Sequence, residues 1–385
     1  MHAIFADYST SDPRAALHAM TAQPVSREPS TGALLVTSYQ LVQELLLHPA
    51  LTNMAQRDPL ADADLTAQQV ELHRPVLRFF QAWGHHHTMV RDRLRPAFSR
   101  SACAPILHQL ALDCAELLEQ LSTESVPVDW IDRFCRPYAL RLLAALFGAT
   151  SAQLDTLAGA TEGLMAYLAK PRAHLDDEVG GRARESLTMA QAAVRDTVLA
   201  EPTAPLALAL REIADDTGLG EQTAVAVAVQ IITGTLDPLA AALAEAAQRY
   251  QSSAAARPYR AAADEALRLS CPFRFAVRYA TEEFRIAGHT VLPGQRVLLV
   301  LGSANLDEEV FPDPLAFLPG REARPLSFGW GVHHCVGATL ARGALDILAR
   351  TLDEGGRTLE VVPGSLRRVG HLGADQITAL MVRVG

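Results

Sequence analysis

Apolar residues recur at three- and four-residue intervals in 39–47, 88–98, 105–121, 130–147, 152–168 and 183–199, the repeat of helices with one buried face. The stretch 221–250 differs. Its first half, Thr223-Ala-Val-Ala-Val-Ala-Val-Gln-Ile-Ile232, is apolar almost all round, as expected of a helix running through an interior. At about 1.5 Å per residue such a helix would span roughly 45 Å, enough to cross a whole domain. Strand patterns are fewer. One lies at 33–37; residues 284–287, a turn at Gly288-His289 and 297–300 predict a hairpin-like unit; a last pair surrounds Pro363-Gly364 and ends at 379–384. Segments 60–84 and 170–181 read as flexible covers. With no repeat and no low-complexity linker, the pattern predicts one compact unit over residues 1–385, mainly α with a minor β region.

Composition narrows the partners. There are 34 basic and 43 acidic residues, a formal net charge of −9, which argues against nucleic acid or an anionic membrane as the main partner. The five cysteines, at 103, 114, 135, 271 and 335, include no Cys-x-x-Cys pair. A disulfide framework or Cys-rich zinc site is therefore not expected, and a reducing cytoplasm fits. Residues 1–20 lack a basic stretch leading into an apolar run. No segment approaches the roughly 20 uninterrupted apolar residues of a membrane span. The expectation is a cytoplasmic, unanchored protein.

The most informative stretch is Ser327-Phe328-Gly329-Trp330-Gly331-Val332-His333-His334-Cys335-Val336-Gly337-Ala338-Thr339-Leu340-Ala341-Arg342. Two glycines and an aromatic suit a tight loop before Cys335. A helix pattern begins just after it, with Leu340, Leu345 and Leu348 on one side. A thiolate at a helix N-terminus is stabilised by unpaired N–H groups and the helix dipole. Gly337 and Ala341, four residues apart, leave a face flat enough for a large planar group. Two other readings compete. A lone cysteine is ordinarily inert core. His333, His334 and Cys335, with His85, His86 and His87, also make a metal reading, although adjacent residues do not readily converge on one ion.

The frame Phe328-Gly329-x-Gly331-x-His333-x-Cys335-x-Gly337-Ala338 resembles the haem-binding loop of the cytochrome P450 family. The resemblance implies a single-domain cytochrome P450 fold over 1–385. It implies haem b (iron protoporphyrin IX) with Cys335 as axial iron ligand, and with Phe328, Gly329, Gly337 and Ala341 beside the macrocycle. A thiolate ligand pushes electron density to iron and favours O–O cleavage. The family's Glu-x-x-Arg signature is matched by Glu265-Ala-Leu-Arg268, and Phe317-Leu-Pro-Gly-Arg321 supplies a third member. Glu265, Arg268 and Arg321 are then organisers of the fold. Haem carries two propionates, whose burial requires cations or donors. The matching positions are His87 and Arg91, at i, i+4 on one predicted helix, together with Arg278 and His333; each also reads as a solvated surface charge. Further likeness lies in Pro96-Ala-Phe-Ser99, Gly302-Ser-Ala-Asn-Leu-Asp307 and Val310-Phe-Pro-Asp-Pro314. The likeness runs from about residue 30 to the end, with a shortened region after Tyr250.

The chain departs from the family in its long helix. The usual motif, Ala/Gly-Gly-x-acid-Thr, is replaced by Thr233-Gly234-Thr235-Leu236-Asp237-Pro238. Leu236 takes the acid position and Asp237 the alcohol position. Pro238 lacks an N–H, and its ring crowds the carbonyl four residues back, that of Gly234, so a kink or opened turn is expected. The catalytic candidates are Asp237, Thr235 and Gly234. Asp237 reads either as a proton-delivering or substrate-binding group, or as a hydrogen-bonding residue that stabilises the kink.

The resemblance implies a monooxygenase acting on a small organic molecule of specialised metabolism, with electrons from a ferredoxin and ferredoxin reductase. The altered motif also admits peroxide-driven oxidation, cyclisation, coupling or rearrangement, and a non-catalytic haem protein is a third reading. Phe79, Phe80 and Trp83, Leu164, Met165 and Tyr167, and Phe273, Arg274 and Phe275 match segments bordering the distal pocket, where aromatics suit an apolar ligand; each is equally compatible with ordinary core. Arg274 raises the prospect of a carboxylate or phosphate on the substrate. Arg91, Arg93, Arg95, Arg324 and Arg342 would form a basic patch suited to an acidic donor protein, or a solvated rim.

Overall fold

The computed structural model describes residues 12–28, 32–55, 60, 65–81, 84–169, 173–250, 258–369 and 376–385. Two compact units emerge. The first comprises Met1–Gln56, Leu110–Arg136 and Asp237–Gly385; the second comprises Arg57–Gln109 and Pro137–Leu236. Among the described residues every strand belongs to the first unit, and the second is helical throughout.

The first unit is built on a five-stranded sheet in the order Val25–Arg27, Leu34–Val36, Arg296–Leu299, Ala276–Ala280, Leu51–Thr52. Leu34–Val36 and Arg296–Leu299 pair in parallel, Leu35 opposite Leu298. Both are almost wholly apolar because both faces of this central pair are covered. Leu34, Val36, Val297 and Leu299 join one core with Tyr39, Val42, Leu45 and Phe311. Leu35 and Leu298 point the other way, into a core with Leu17, Met20, Leu269 and Leu306. The period-two alternation of a strand thus divides one apolar run between two cores.

The predicted hairpin between 284–287 and 297–300 is not the observed pairing. Phe284–Ile286 pairs with His289–Val291, while Arg296–Leu299 pairs with Ala276–Ala280 and Leu34–Val36. Ala287 and Gly288 both have positive φ, 43° and 82°, as a two-residue hairpin turn of matching twist requires. That turn closes the chain back on its nearest neighbour.

In the second unit the covers are also more ordered than the pattern suggests. Ala67–Gln81 is a fifteen-residue helix with Pro75 inside it, burying His73, Val76 and Phe79 along one stripe. The proline and the polar residues around it conceal that stripe in the sequence. Asp177–Val194 is a helix capped by Asp176, whose carboxylate accepts from Val179 N. Trp83, residues 170–172 and residues 251–257 after Tyr250 lie outside the described residues.

The long apolar stretch forms two helices, Gly220–Thr233 and Leu236–Arg249, separated by a turn at Gly234-Thr235. Pro238 falls in the first turn of the second helix, where its missing N–H leaves no helical bond unmade. Within Gly220–Arg249 an 18-residue window reaches a mean hydropathy of 1.5, apolar enough by length and composition to cross a membrane, but 56% of that window is buried within the protein, as in a core helix.

Candidate functional site

A buried ion-pair cluster anchors the cysteine loop. Arg268 and Glu265, 1% and 3% exposed, lie one turn apart on the helix Tyr259–Ser270. Arg268 donates Nε to Glu265 Oε2 and Nη2 to Glu265 Oε1, both at 2.8 Å. It also donates Nη1 to the carbonyls of Asn305 and Pro314, at 2.8 and 2.7 Å. Arg321 Nε reaches Glu265 Oε1 at 2.9 Å and Leu318 N reaches the same oxygen at 3.0 Å. Burial alone would raise the Glu265 carboxyl, but hydrogen bonds and charge from Arg268, with the Leu318 N–H and Arg321, outweigh it and hold the pKa below the ordinary value. A buried carboxylate with this many donors is a charge satisfied in place.

Asn305 carries that order to the loop. Its amide accepts from Leu326 N at 2.7 Å and donates to Ser327 Oγ at 2.8 Å, and Ser327 Oγ donates to Leu267 O at 2.7 Å. The loop then closes through Cys335 N donating to Phe328 O at 2.9 Å. Gly329 and Gly331 take φ of 66° and 70°, open to glycine without strain, and a Cβ at Gly331 would overlap the Leu47 side chain. Asn305 lies within a stretch that resembles the family, but its bridging role has no local signature.

Cys335 is exposed, whereas Cys103, Cys114, Cys135 and Cys271 are buried; burial pushes the Cys135 thiol well above its ordinary pKa. Three residues after Cys335 begins the seventeen-residue helix Ala338–Glu354, with Gly337 at its N-cap, so the thiol lies ahead of unpaired helix N–H groups. A Cβ on Gly337 would stand 3.9 Å from Cys335 Sγ, so glycine keeps that side of the sulfur open. The Arg342 guanidinium lies over the Phe328 ring, 4.5 Å from its centroid, and its Nε meets Asp264 Oδ1 at 2.6 Å. Ala341 continues the helix, its N–H bonded to Gly337 O at 3.0 Å, and His333 is half-buried.

Arg278 supplies a second requirement in the same unit. It is 6% exposed, on the strand Ala276–Ala280, and its Nη1 donates to Val277 O at 2.9 Å. Burial pulls its pKa down, and it has no carboxylate partner among the described residues. A buried guanidinium without a counter-charge calls for an anion, and a haem propionate is one. Haem b therefore fits the residues present: an exposed thiol before a helix, a glycine-lined face and a buried cation. In the second unit, His87 and Arg91 stand at i, i+4 on the helix His87–Leu94, both half-buried. Arg91 has no carboxylate partner among the described residues.

At the break in the long stretch, Gly234 is exposed and residues 235–238 are half-buried, although 223–229 and 239–247 are buried. A Cβ on Gly234 would lie 2.7 Å from Gln230 O, so glycine is needed there. Thr235 Oγ1 donates to Ile231 O at 2.7 Å and Thr233 Oγ1 to Val229 O at 2.9 Å. Both hydroxyl protons thus go to backbone carbonyls. Asp237 Oδ2 accepts from Gln376 Nε2 at 3.2 Å, a partner with no signal in the local sequence.

The predicted pocket residues vary in exposure. Phe79 is fully buried against Phe80, and Leu164 and Tyr167 are buried. Phe273 is 46% exposed, whereas Arg274 is buried, its stem packed where a Cβ on Gly302 would fall. Of the five predicted patch arginines, Arg93 pairs with Asp216 at 2.6 Å, Arg95 with Asp92 at 2.6 Å and Arg342 with Asp264. Arg91 in the second unit and the exposed Arg324 in the first lack an acidic partner among the described residues. Among the described residues no group of three His, Cys, Asp or Glu side chains converges as a metal site.

A family model described as Cytochrome P450 matches residues 245–352, the span holding Glu265, Arg268, Arg321 and Cys335. The chain is 46% identical over 82 residues to "Cytochrome P450 119" of Sulfurisphaera tokodaii, a match covering 21% of this chain and 22% of that relative. The chain thus spans less than a quarter of that relative's length. The "Mycinamicin IV hydroxylase/epoxidase" of Micromonospora griseorubida is 27% identical over 345 residues, 86% of this chain and 84% of the relative. In fold, the chain matches the solved structure of the Bacillus subtilis bacillaene polyketide synthase cytochrome P450 PksS with a TM-score of 0.78 at 20% identity, covering 100% of this chain and 99% of the other. With the Glu265, Arg268 and Arg321 cluster, the loop and the helical architecture in agreement, residues 245–352 match the cytochrome P450 family and the chain shares the fold of solved cytochrome P450 structures.

Proposed function

We propose that the chain is a haem-dependent monooxygenase, one haem-thiolate domain over residues 1–385, that oxidises a small organic molecule of specialised metabolism in the cytoplasm. Dioxygen is the oxidant, and a ferredoxin with its reductase supplies electrons. The observation that carries this reading is Cys335: it alone of the five cysteines is exposed, on a loop tied through Asn305 to the buried Glu265–Arg268 pair. Bound haem supplies oxygen activation at a thiolate-ligated iron.

The residues of this chain do the rest. The loop and the helix start hold the Cys335 sulfur and favour its thiolate. Phe328, Gly329, Gly337 and Ala341 seat the macrocycle. Arg278 and His333 are the propionate-binding groups of the first unit, and His87 and Arg91 are the second unit's candidates for the same role. Gly234 keeps the helix break open, and Asp237 is the titratable group of that segment. The name of the Micromonospora relative supports a specialised-metabolite substrate. The absorption spectrum of the reduced protein with carbon monoxide tests the reading. A thiolate-type spectrum lost in Cys335→Ala is expected, and protein that takes up no haem overturns it.

A second reading keeps the cofactor and changes the chemistry to peroxide-driven oxidation, cyclisation, coupling or rearrangement. It is favoured by Leu236 in the acid position and by the Thr235 hydroxyl donating to Ile231 O. Product analysis with isotope-labelled dioxygen against labelled peroxide separates the two.

A further inference from the structure

We propose that Gln376 is the positioning residue of Asp237, so that a carboxylate–amide pair takes the place of the family's acid–alcohol pair; this rests on the haem-thiolate reading above. Asp237 is the second residue of the helix Leu236–Arg249 and is half-buried. Gln376 opens the strand Gln376–Ala379, which pairs antiparallel with Arg367–Val369, Val369 opposite Gln376. Across 139 positions of sequence, Gln376 Nε2 donates to Asp237 Oδ2 at 3.2 Å.

The chemistry of the two partners makes the arrangement directional. The side-chain amide keeps its protons throughout the working pH range, so it is a constant donor, while Asp237 alone changes charge. A hydrogen bond to an ionised carboxylate is among the stronger kinds and holds a short side chain in one orientation. The other candidate donors of the segment are engaged: Thr233 and Thr235 give their protons to Val229 O and Ile231 O. An aspartate in the first turn of a helix is also drawn toward the helix N–H groups. A donor fixed on a strand supplies the opposing pull. Gln376 therefore sets where the carboxylate points, and Asp237 is the member of the pair able to gain or lose a proton.

Gln376→Leu, Asp237→Asn and the double variant, all haem-loaded, test the pair. In urea unfolding, the two single effects on the unfolding constant should be non-additive by about fivefold. Product formed per electron consumed should fall to the same level in both single variants and no further in the double. Gln376→Glu preserves shape but sets two carboxylates together, which raises the pH at which such a pair titrates; its pH profile for product per electron should move up by about one unit. Additive unfolding effects, or a Gln376→Glu profile that overlays the parent, would overturn the proposal. The unfolding cycle needs no turnover and so reads the pair by itself. Absence of a thiolate-type carbon monoxide spectrum in the parent protein would strike instead at the functional reading.

Discussion

Asn305 Nδ2 donates to Ser327 Oγ at 2.8 Å, and with the Leu326 N–H on Asn305 Oδ1 and the Ser327 hydroxyl on Leu267 O this contact joins the segment organised by Glu265 and Arg268 to the loop that presents Cys335. Because Asn305 is fully buried, each of its amide atoms must find a partner in the protein.

Asn305→Ala leaves the Leu326 N–H without its acceptor and removes a donor to Ser327. Each buried polar group left unpaired costs about 1–3 kcal/mol. The variant should lose about 2–3 kcal/mol in urea unfolding and release haem faster to a scavenger protein. Ser327→Ala should cost less. Unchanged haem release in Asn305→Ala would show that the loop holds its shape without this bridge.

Glu265 gives a pH prediction. Its pKa is lower folded than unfolded, because the Arg268 and Arg321 contacts and the Leu318 N–H outweigh burial. A group depressed in this way binds protons more readily when unfolded. Its stabilisation is therefore complete above the unfolded carboxylate range and is lost as pH falls through the folded pKa. Unfolding midpoints measured from neutral to acid pH should drop more steeply for the parent than for Glu265→Gln, which is already less stable at neutral pH. Parallel curves would remove Glu265 from the acid transition.

Arg278→Met separates cofactor binding from folding. The guanidinium is buried and carries a depressed pKa, so an apolar chain of similar length should leave the haem-free protein as stable or more so. Haem affinity should fall at least about tenfold, since a buried propionate loses its counter-charge. Equal haem affinity in the two proteins would remove Arg278 from the propionate site.

The second unit offers a packing test with an internal control. His73 is fully buried, its Nδ1 3.3 Å from the Tyr167 hydroxyl, and a Cβ added at Gly180 would fall on its ring, 2.8 Å from Nδ1. At the adjacent Gly181 nothing lies within 4 Å of that position. Gly180→Ala should lower stability by about 1–3 kcal/mol through overpacking. Gly181→Ala should be neutral or slightly stabilising, since alanine is the better helix former. Thermal unfolding of the pair decides it.

Much was legible in the residues themselves. The glycine spacing around Cys335, the Glu265–Arg268 turn and the apolar periodicity of the helices are local, and each records what a short stretch of backbone can bury or cap by itself. Pro238 announced the break after Gly234 for the same local reason: proline is accommodated in the first turn of a helix and not in its interior. The choice of long-range partners left no such trace. Arg296–Leu299 is an apolar strand suited to many neighbours, and only the assembled sheet gives it Leu34–Val36 on one side and Ala276–Ala280 on the other. Ala67–Gln81 hid its buried stripe behind Pro75, because its helix is stabilised by tertiary packing more than by propensity. Asn305 meeting Ser327 and Gln376 meeting Asp237 depend on where distant segments come to rest. Pattern along the chain states which surfaces seek cover, and the fold decides which residues provide it.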